Sequence, residues 1–392
     1  MGKARIITHN VIILSFVSLF TDVASEMLYP IMPIYLQTIG FSIMLIGVLE
    51  GFAEATAGLS KGYFGNFSDN TKKRLPFVQI GYAFSAISKP MMAMFVYPWW
   101  IFFARSVDRL GKGVRTGARD ALLSDEATPL TKGRIFGFHR SMDTLGAVMG
   151  PALALLFLAC YPEDYKTLFY IAFIPGVIAI GFTLFIKEKP KPLAGPKSRP
   201  RLLDFLKYWK TSPAIYRQLV GGLLVFTLFN SSDVFLLLKI KEVGNSDVTV
   251  IGIYIFYNLV YALFSYPLGM LADKLGMKWI FAAGLAIFSL VYVGMAYASA
   301  EWMFVALFFL YGIYAAATEG IAKAWITNIS NKESTATAIG TYTAFQSIAT
   351  MVASSLAGLI WFSFGASTTF MLSGIVALGV MIYISTIKTT KS

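Results

Sequence analysis

Six of the ionisable side chains in the segment RSVDRLGKGVRTGARD, residues 105–120, recur at helical spacing: Arg105, Asp108, Arg109, Lys112, Arg115 and Arg119. At 100° per residue they fall within an arc of about 120°, so a helix that carries them has one charged stripe. The stripe follows the apolar run MFVYPWWIFFA, and the rest of the chain is greasy enough to belong in lipid. A charge near the centre of a bilayer costs roughly 2.5 to 3.5 kcal/mol, so four unpaired ones would cost on the order of 10 to 14 kcal/mol, comparable to the stability of a whole domain. The stripe must therefore face partners or water. Partners stand in the same half of the chain: Asp22 and Glu26, Glu50 and Glu54, and Asp143. The members of each of the first two pairs are four residues apart and share a helix face. With Lys89 and Arg140 added, bases and acids nearly balance, which predicts an ion-pair network lining the interior of the amino-terminal half. Arg115, Arg119 and Arg140 lie closer to loops and can reach an aqueous interface along their own methylenes. The candidate coupling network is Asp22, Glu26, Glu50, Glu54, Arg105, Asp108, Arg109, Lys112 and Asp143, because intramembrane ionisable groups are costly and mark pathways.

The elements that position these groups follow from composition. Of 392 residues 56% are hydrophobic and 14% charged, and the mean hydropathy is +0.65, far too apolar for a water-soluble globular domain. Windows of about 20 residues mark twelve candidate spans, near 11–36, 43–65, 76–97, 99–123, 136–159, 166–187, 215–239, 249–272, 277–298, 302–327, 336–362 and 367–387. The expected fold class is an all-α membrane protein with twelve transmembrane helices. The net charge of +12 is compatible in principle with nucleic-acid binding, but its distribution argues for topology. Lys and Arg gather in alternate loops: Lys3 and Arg5, Lys72 to Arg74, Lys132 and Arg134, the run from Lys187 to Lys210, Lys274 and Lys278, and Lys388 and Lys391. The intervening loops QTIGFS, YPWW, ASAEW and FSFGAS carry none, so both termini and the central loop are expected to be cytoplasmic. The pro- and lysine-rich segment EKPKPLAGPKSRPRL separates six spans from six. The expected domains are 1–187, a basic linker 188–212, and 213–392.

Several chemistries lack their residues. The single Cys160 rules out an internal disulfide, no His or Cys cluster has metal-ligand spacing, and GKG at 111–113 lacks the first glycine of a phosphate loop, Ser106 standing there. H-E-x-x-H does not occur, and the G-x-S-x-G match at Gly58 to Gly62 lies inside an expected span, so an enzyme is not expected, and neither is a cofactor. The methionines look like packing residues in spans.

The two halves repeat. GNFSDNTKKR at 65–74 corresponds to GMLADKLGMK at 269–278, and GFHRSMDTLGAVMGP at 137–151 to GTYTAFQSIATMVAS at 340–354, at nearly the same offset. These residues resemble the major facilitator superfamily, whose G-x-x-x-D-(R/K)-x-G-(R/K) loop signature matches Gly269, Asp273, Lys274 and Gly276, with Lys278 one residue past its last position. It matches Gly65, Asp69, Lys73 and Arg74 less fully, with Asn70 and Lys72 in place of the usual Arg and Gly. Gly146, Gly150 and Pro151 are similar to the G-x-x-x-G-P signature of the family's antiporters, though Ala154 and Leu155 stand where it has a further glycine pair. R-x-G-K-G-x-R, here Arg109 to Arg115, resembles a bacterial branch of the same family.

The resemblance implies two pseudo-symmetric six-helix bundles around a central cavity and alternating access. It also implies proton coupling through a fourth-span Arg near a first-span acid: a carboxylate beside an arginine stays ionised, and the same group in a drier cavity takes up a proton. Asp69 and Asp273 can interact with helix ends and, with Arg115, Arg140 and Lys274, form a cytoplasmic gate. In the carboxy-terminal half the polar groups are mostly neutral, with Ser231, Ser232, Tyr261, Thr343 and Ser347 at mid-span depth and Lys323 among the few charges. Asn230, Asp233, Tyr254, Tyr257, Asn258, Glu319 and Gln346 make a candidate substrate cavity that suits an amphipathic organic ligand. The expected protein is a proton-coupled transporter of a small organic solute in a bacterial-type inner membrane, acting as a monomer with lipid and solute as its partners. Efflux is favoured by the antiporter-like signature. Uptake of a nutrient or metal chelate, and a non-transporting receptor or lipid-handling protein on the same fold, are the alternatives.

Overall fold

The computed structural model describes residues 6–29, 31–188, 201, 203–230, 233–244 and 247–387, and among these the chain is helical with no strand. The expectations placed on Lys3, Arg5, Lys388, Lys391, Ser231 and Ser232, and on most of the linker, lie outside the described residues. In chain order the helices are α1 (His9–Glu26), α2 (Met32–Thr38), α3 (Ile43–Thr71), α4 (Leu75–Met94), α5 (Pro98–Asp125), α6 (Lys132–Cys160) and α7 (Tyr165–Thr183). They continue as α8 (Phe205–Thr211), α9 (Ala214–Phe229), α10 (Asp233–Glu242), α11 (Asp247–Leu275), α12 (Met277–Tyr297), α13 (Glu301–Ile329) and α14 (Thr335–Thr386).

Helix starts follow local chemistry. Thr8, Ser42 and Asp164 accept from backbone N–H groups of the first turns of α1, α3 and α7, and Pro98 opens α5 where its missing N–H has no partner to lose. The first expected span, 11–36, is two helices: the segment MLYPIMP holds two prolines that cannot donate to a helical ladder, and α1 ends before it. The expected seventh span is likewise divided, between α9 and α10. In α14 the two last expected spans run together except at Gly365, whose φ of 83° no ordinary side chain adopts cheaply, so the helix breaks there.

Six helical stretches among the described residues are long and apolar enough to cross a membrane, within α6, α7, α11, α12, α13 and α14. The count is seven if α8 and α9, which meet at 118°, make one span. Helices α1, α3, α4 and α5 are not among them, because each carries the polar and ionisable residues described below. Large apolar side chains such as Trp99, Leu184, Trp302 and Phe362 stand more than two-thirds exposed, as lipid rather than water would permit.

The chain forms two compact units by contact. The first comprises 1–126, 142–211 and 331–347, the second 127–141, 212–330 and 348–392. Each unit therefore includes a short helical piece from the other half of the sequence: the start of α14 belongs to the first, the start of α6 to the second. In the first unit α5 packs between α3 and α4, and α7 packs on α1 and α4. In the second, α13 packs on α11 and α12.

Candidate functional site

Helix α5 can carry charge on a packed face because small residues alternate with the charged ones. A side-chain carbon at Gly111 would stand 2.6 Å from the carbonyl of Gly81 on α4, and one at Gly113 would strike Ser60 on α3. The three backbones close around the stripe, and the ionisable groups fill the space between them. Lys89 Nζ on α4 lies 2.7 Å from Asp108 Oδ1, which also accepts from Ser88 at 3.2 Å. Arg105 donates from Nε and Nη2 to the two carboxylate oxygens of Glu50 at 2.9 and 2.8 Å, and its Nη1 is 3.5 Å from Asp108. A forked guanidinium on a carboxylate is the strongest ordinary form of ion pair. Arg109 is held less closely: its Nε is 4.0 Å from Asp108, buried and without a hydrogen bond. Lys112 makes no ion pair within 4.0 Å among the described residues.

Arg115 and Arg119 do not reach for an interface. Both are buried inside the first unit, Arg115 donating to Ser85 with its guanidinium 4.5 Å from the centre of the Tyr82 ring. Arg119 grips Asp120 at 2.9 Å and touches Ser18 at 3.3 Å. The geometric reason is that α4 and α1 cover this end of α5 with Ser85, Tyr82 and Ser18, so the two guanidinium groups find their partners within the bundle. Ser18 in turn donates to Asp143 on α6, and Asp143 is a hydrogen-bonding neighbour of Asp22. The approach of α6 to α1 depends on Gly146 and Gly150. A side-chain carbon at Gly146 would lie 2.5 Å from the Leu19 carbonyl and 2.9 Å from Asp22 Cβ, and one at Gly150 2.7 Å from the Met27 amide. Two acids of the predicted network thus sit where the antiporter-like glycines meet α1.

Between these groups lies a cavity of about 120 Å³, whose lining includes Asp22, Glu26, Lys89, Arg105, Asp108, Arg109, Lys112 and Arg115. Of the expected network, Glu50 reaches the cavity wall through Arg105, and Glu54 lies outside the lining, with Lys61 at 3.9 Å and Lys112 and Arg109 acting on it from farther off.

The expected gate residues separate by role. Asp69 accepts from the Thr337 amide at 2.7 Å and its hydroxyl at 2.8 Å, in the first turn of α14, and from Arg74 at 3.2 Å. Asp273 accepts from the amides of Gly133 and Arg134, at 2.7 and 2.9 Å, in the first turn of α6. Both carboxylates cap a helix start contributed by the opposite sequence half, where exposed N–H groups and the helix dipole favour negative charge. Arg140 contacts Tyr261 and lies 3.8 Å from Glu319, Lys274 is exposed at the end of α11, and Arg115 belongs to the cavity instead.

Of the residues expected at a carboxy-terminal cavity, Tyr311 donates to Asp233 at 2.6 Å, Tyr292 donates to Asn230 at 3.3 Å, and the rings of Tyr257 and Tyr311 are 5.0 Å apart. Tyr254 lies beside Tyr257, and Asn258 donates to the Tyr254 carbonyl at 3.0 Å. Gln346 belongs to the first unit and not to this cluster. Sequence reasoning did not find Tyr292, Tyr311 and Tyr314, which knit the cluster, nor Ser18, Tyr82, Ser85 and Asp120 in the first unit: isolated hydroxyls and rings in apolar spans have no spacing signal. Among the described residues no group of three or more His, Cys, Asp or Glu could hold a metal ion.

The sequence profile of the Major Facilitator Superfamily matches residues 14–254 and 219–391. The chain is 32% identical over 380 residues to the MFS-type transporter MJ1317 of Methanocaldococcus jannaschii, covering 95% of this chain and 94% of that one. It is 26% identical over 198 residues to the MFS-type transporter YqjV of Bacillus subtilis, covering 46% and 44%. Its fold is similar to the human organic anion transporter MFSD10 (TM-score 0.81, 15% identity, 96% of this chain and 98% of that one). It is also similar to the transporter FucP in the outward conformation (TM-score 0.74, 12% identity, 98% and 100%). The chain belongs to the Major Facilitator Superfamily: it is an integral membrane protein and a secondary transporter, not an enzyme.

Proposed function

We propose that the chain is a proton-coupled transporter that moves a small organic solute by alternating access, with export favoured. Twelve spans in two pseudo-symmetric six-helix halves, divided at the 188–212 linker, would place both termini on the cytoplasmic side of a bacterial-type inner membrane, the protein acting as a monomer with the proton gradient as its energy source and no cofactor. The observation that carries the coupling is the pair Asp22 and Asp143, hydrogen-bonding neighbours at the contact of α1 with α6 and one hydroxyl away from Arg119. Two carboxyl groups that close share a proton more easily than they share two negative charges. A shift of α6 along α1 changes their separation and so links proton uptake to the direction in which the cavity opens. The caps at Asp69 and Asp273 support the same cycle, since each ties a helix start to the opposite half of the sequence and is a contact that a change of state can break. Export is favoured by the glycines of α6 that match the antiporter signature.

Proteoliposomes with an imposed pH gradient test this reading, using whichever solute most stabilises the purified protein. Solute movement opposite to protons supports export, and movement with them supports uptake of a nutrient or metal chelate. Saturable solute binding with no flux in either direction would point to a receptor on the same fold.

A further inference from the structure

We infer that the cavity of the first unit binds a small organic anion, its carboxylate or phosphate held between Lys112 and Arg109; this rests on the transporter reading only for what the binding serves. Five bases and three acids line the cavity, and pairing uses them unevenly. Asp108 is taken by Lys89 at 2.7 Å, and Arg105 is satisfied by Glu50, which adds a carboxylate from outside the lining. Asp22 faces a second acid, Asp143, with Arg115 acting on it as a base. Arg109 has one carboxylate oxygen at 4.0 Å and a buried Nε with no hydrogen bond. Lys112 has no ion-pair partner within 4.0 Å among the described residues, the carboxylates of Glu54 and Asp22 acting on it from farther off. The two cations without a close partner stand three residues apart on one helix face, close enough to grip a single anionic group. Their chemistry is complementary: a planar guanidinium fork that matches carboxylate or phosphate oxygens, and a mobile point charge.

The rest of the wall sets the size and polarity of the solute. Leu28, Met32 and Met92 bring apolar surface to the same cavity. Its volume of about 120 Å³ is on the scale of the roughly 150 Å³ that admits a benzene ring, so a single ring or short chain fits against the methionines while the acid reaches α5. A cationic solute would meet two cations of its own sign, and a neutral one would gain no charge-assisted contact from them.

Thermal unfolding and binding isotherms of the purified full chain, with benzoate, phenyl phosphate, benzamide and benzylammonium as probes, test the assignment. Benzoate or phenyl phosphate should raise the unfolding temperature with concentration, their relative strength separating a carboxylate from a phosphate preference, while benzamide and benzylammonium should not. Lys112→Gln should weaken anion binding by about tenfold or more, the loss of one charge-assisted contact, and Lys112→Arg should retain it. Because Lys112 holds no ion pair within 4.0 Å among the described residues, the unliganded Gln variant should unfold at the wild-type temperature. Equal stabilisation by the neutral or cationic probe, no response to either anion, or unchanged anion affinity in Lys112→Gln would each overturn the inference. Proton-driven flux is read separately: loss of pH response with anion binding intact removes the coupling reading alone, and absent anion binding with pH-driven flux intact removes this one alone.

Discussion

Lys89 and Asp108 meet at 2.7 Å between α4 and α5, the lysine 6% and the aspartate 11% exposed at the side chain. A buried pair of this kind contributes little net stability when whole, because desolvation offsets attraction, yet each partner is costly to remove alone. Lys89→Met and Asp108→Leu as single substitutions should each destabilise by about 3 to 5 kcal/mol, and the double substitution should recover most of that loss. Thermal melts of the four proteins in one detergent check it. Additive losses in the double variant would show that the pair is not coupled.

Gly146 carries a geometric prediction. Gly146→Val should push α6 from α1, at a cost of about 1 to 3 kcal/mol, and should abolish transport, since a side-chain carbon there is 2.5 Å from the Leu19 carbonyl. Gly181→Ala on α7, where a side-chain carbon meets nothing within 4 Å, should be neutral or slightly stabilising. Expression level, melting temperature and flux of the two variants give the comparison.

The caps predict a change in population rather than in solute binding. Asp69→Asn and Asp273→Asn each weaken charge-assisted bonds to a helix start, worth about 1 to 2 kcal/mol, and should shift the balance of open and closed forms by roughly tenfold. Labelling of single cysteines introduced near Thr337 and Gly133, in a Cys160→Ser background, reads that shift as a faster reaction. Unchanged labelling in both variants would assign the two aspartates a role in folding alone.

Much of the first unit was legible in sequence because charge in an apolar helix is conspicuous and helical spacing is periodic. The stripe on α5, its carboxylate partner Glu50 and the acids of α1 could be read from type and spacing. The pairing could not: Arg105 chooses Glu50 over Asp22, and Lys89 chooses Asp108, through the crossing of α3, α4 and α5 at Gly81, Gly111 and Gly113. The fate of Arg115 and Arg119 was hidden for the same reason, since proximity to a loop in sequence says nothing of Tyr82 and Ser18 packed over them. Helices α1 and α9 end at Glu26 and Phe229, inside runs that hydropathy windows read as continuous. The aromatic cluster around Asp233 was half legible, as Tyr257 has a polar neighbourhood in sequence while Tyr292 and Tyr311 stand alone in apolar runs.

The proton dependence of flux in proteoliposomes, measured for wild type and Asp22→Asn with the same stabilising solute, tests the coupling most directly. The wild type should drive solute against its gradient when a pH difference is imposed, and the variant should exchange solute across the membrane at comparable affinity with no response to pH. A pH-driven gradient of equal size in Asp22→Asn would contradict the assignment of proton coupling to the Asp22 and Asp143 pair.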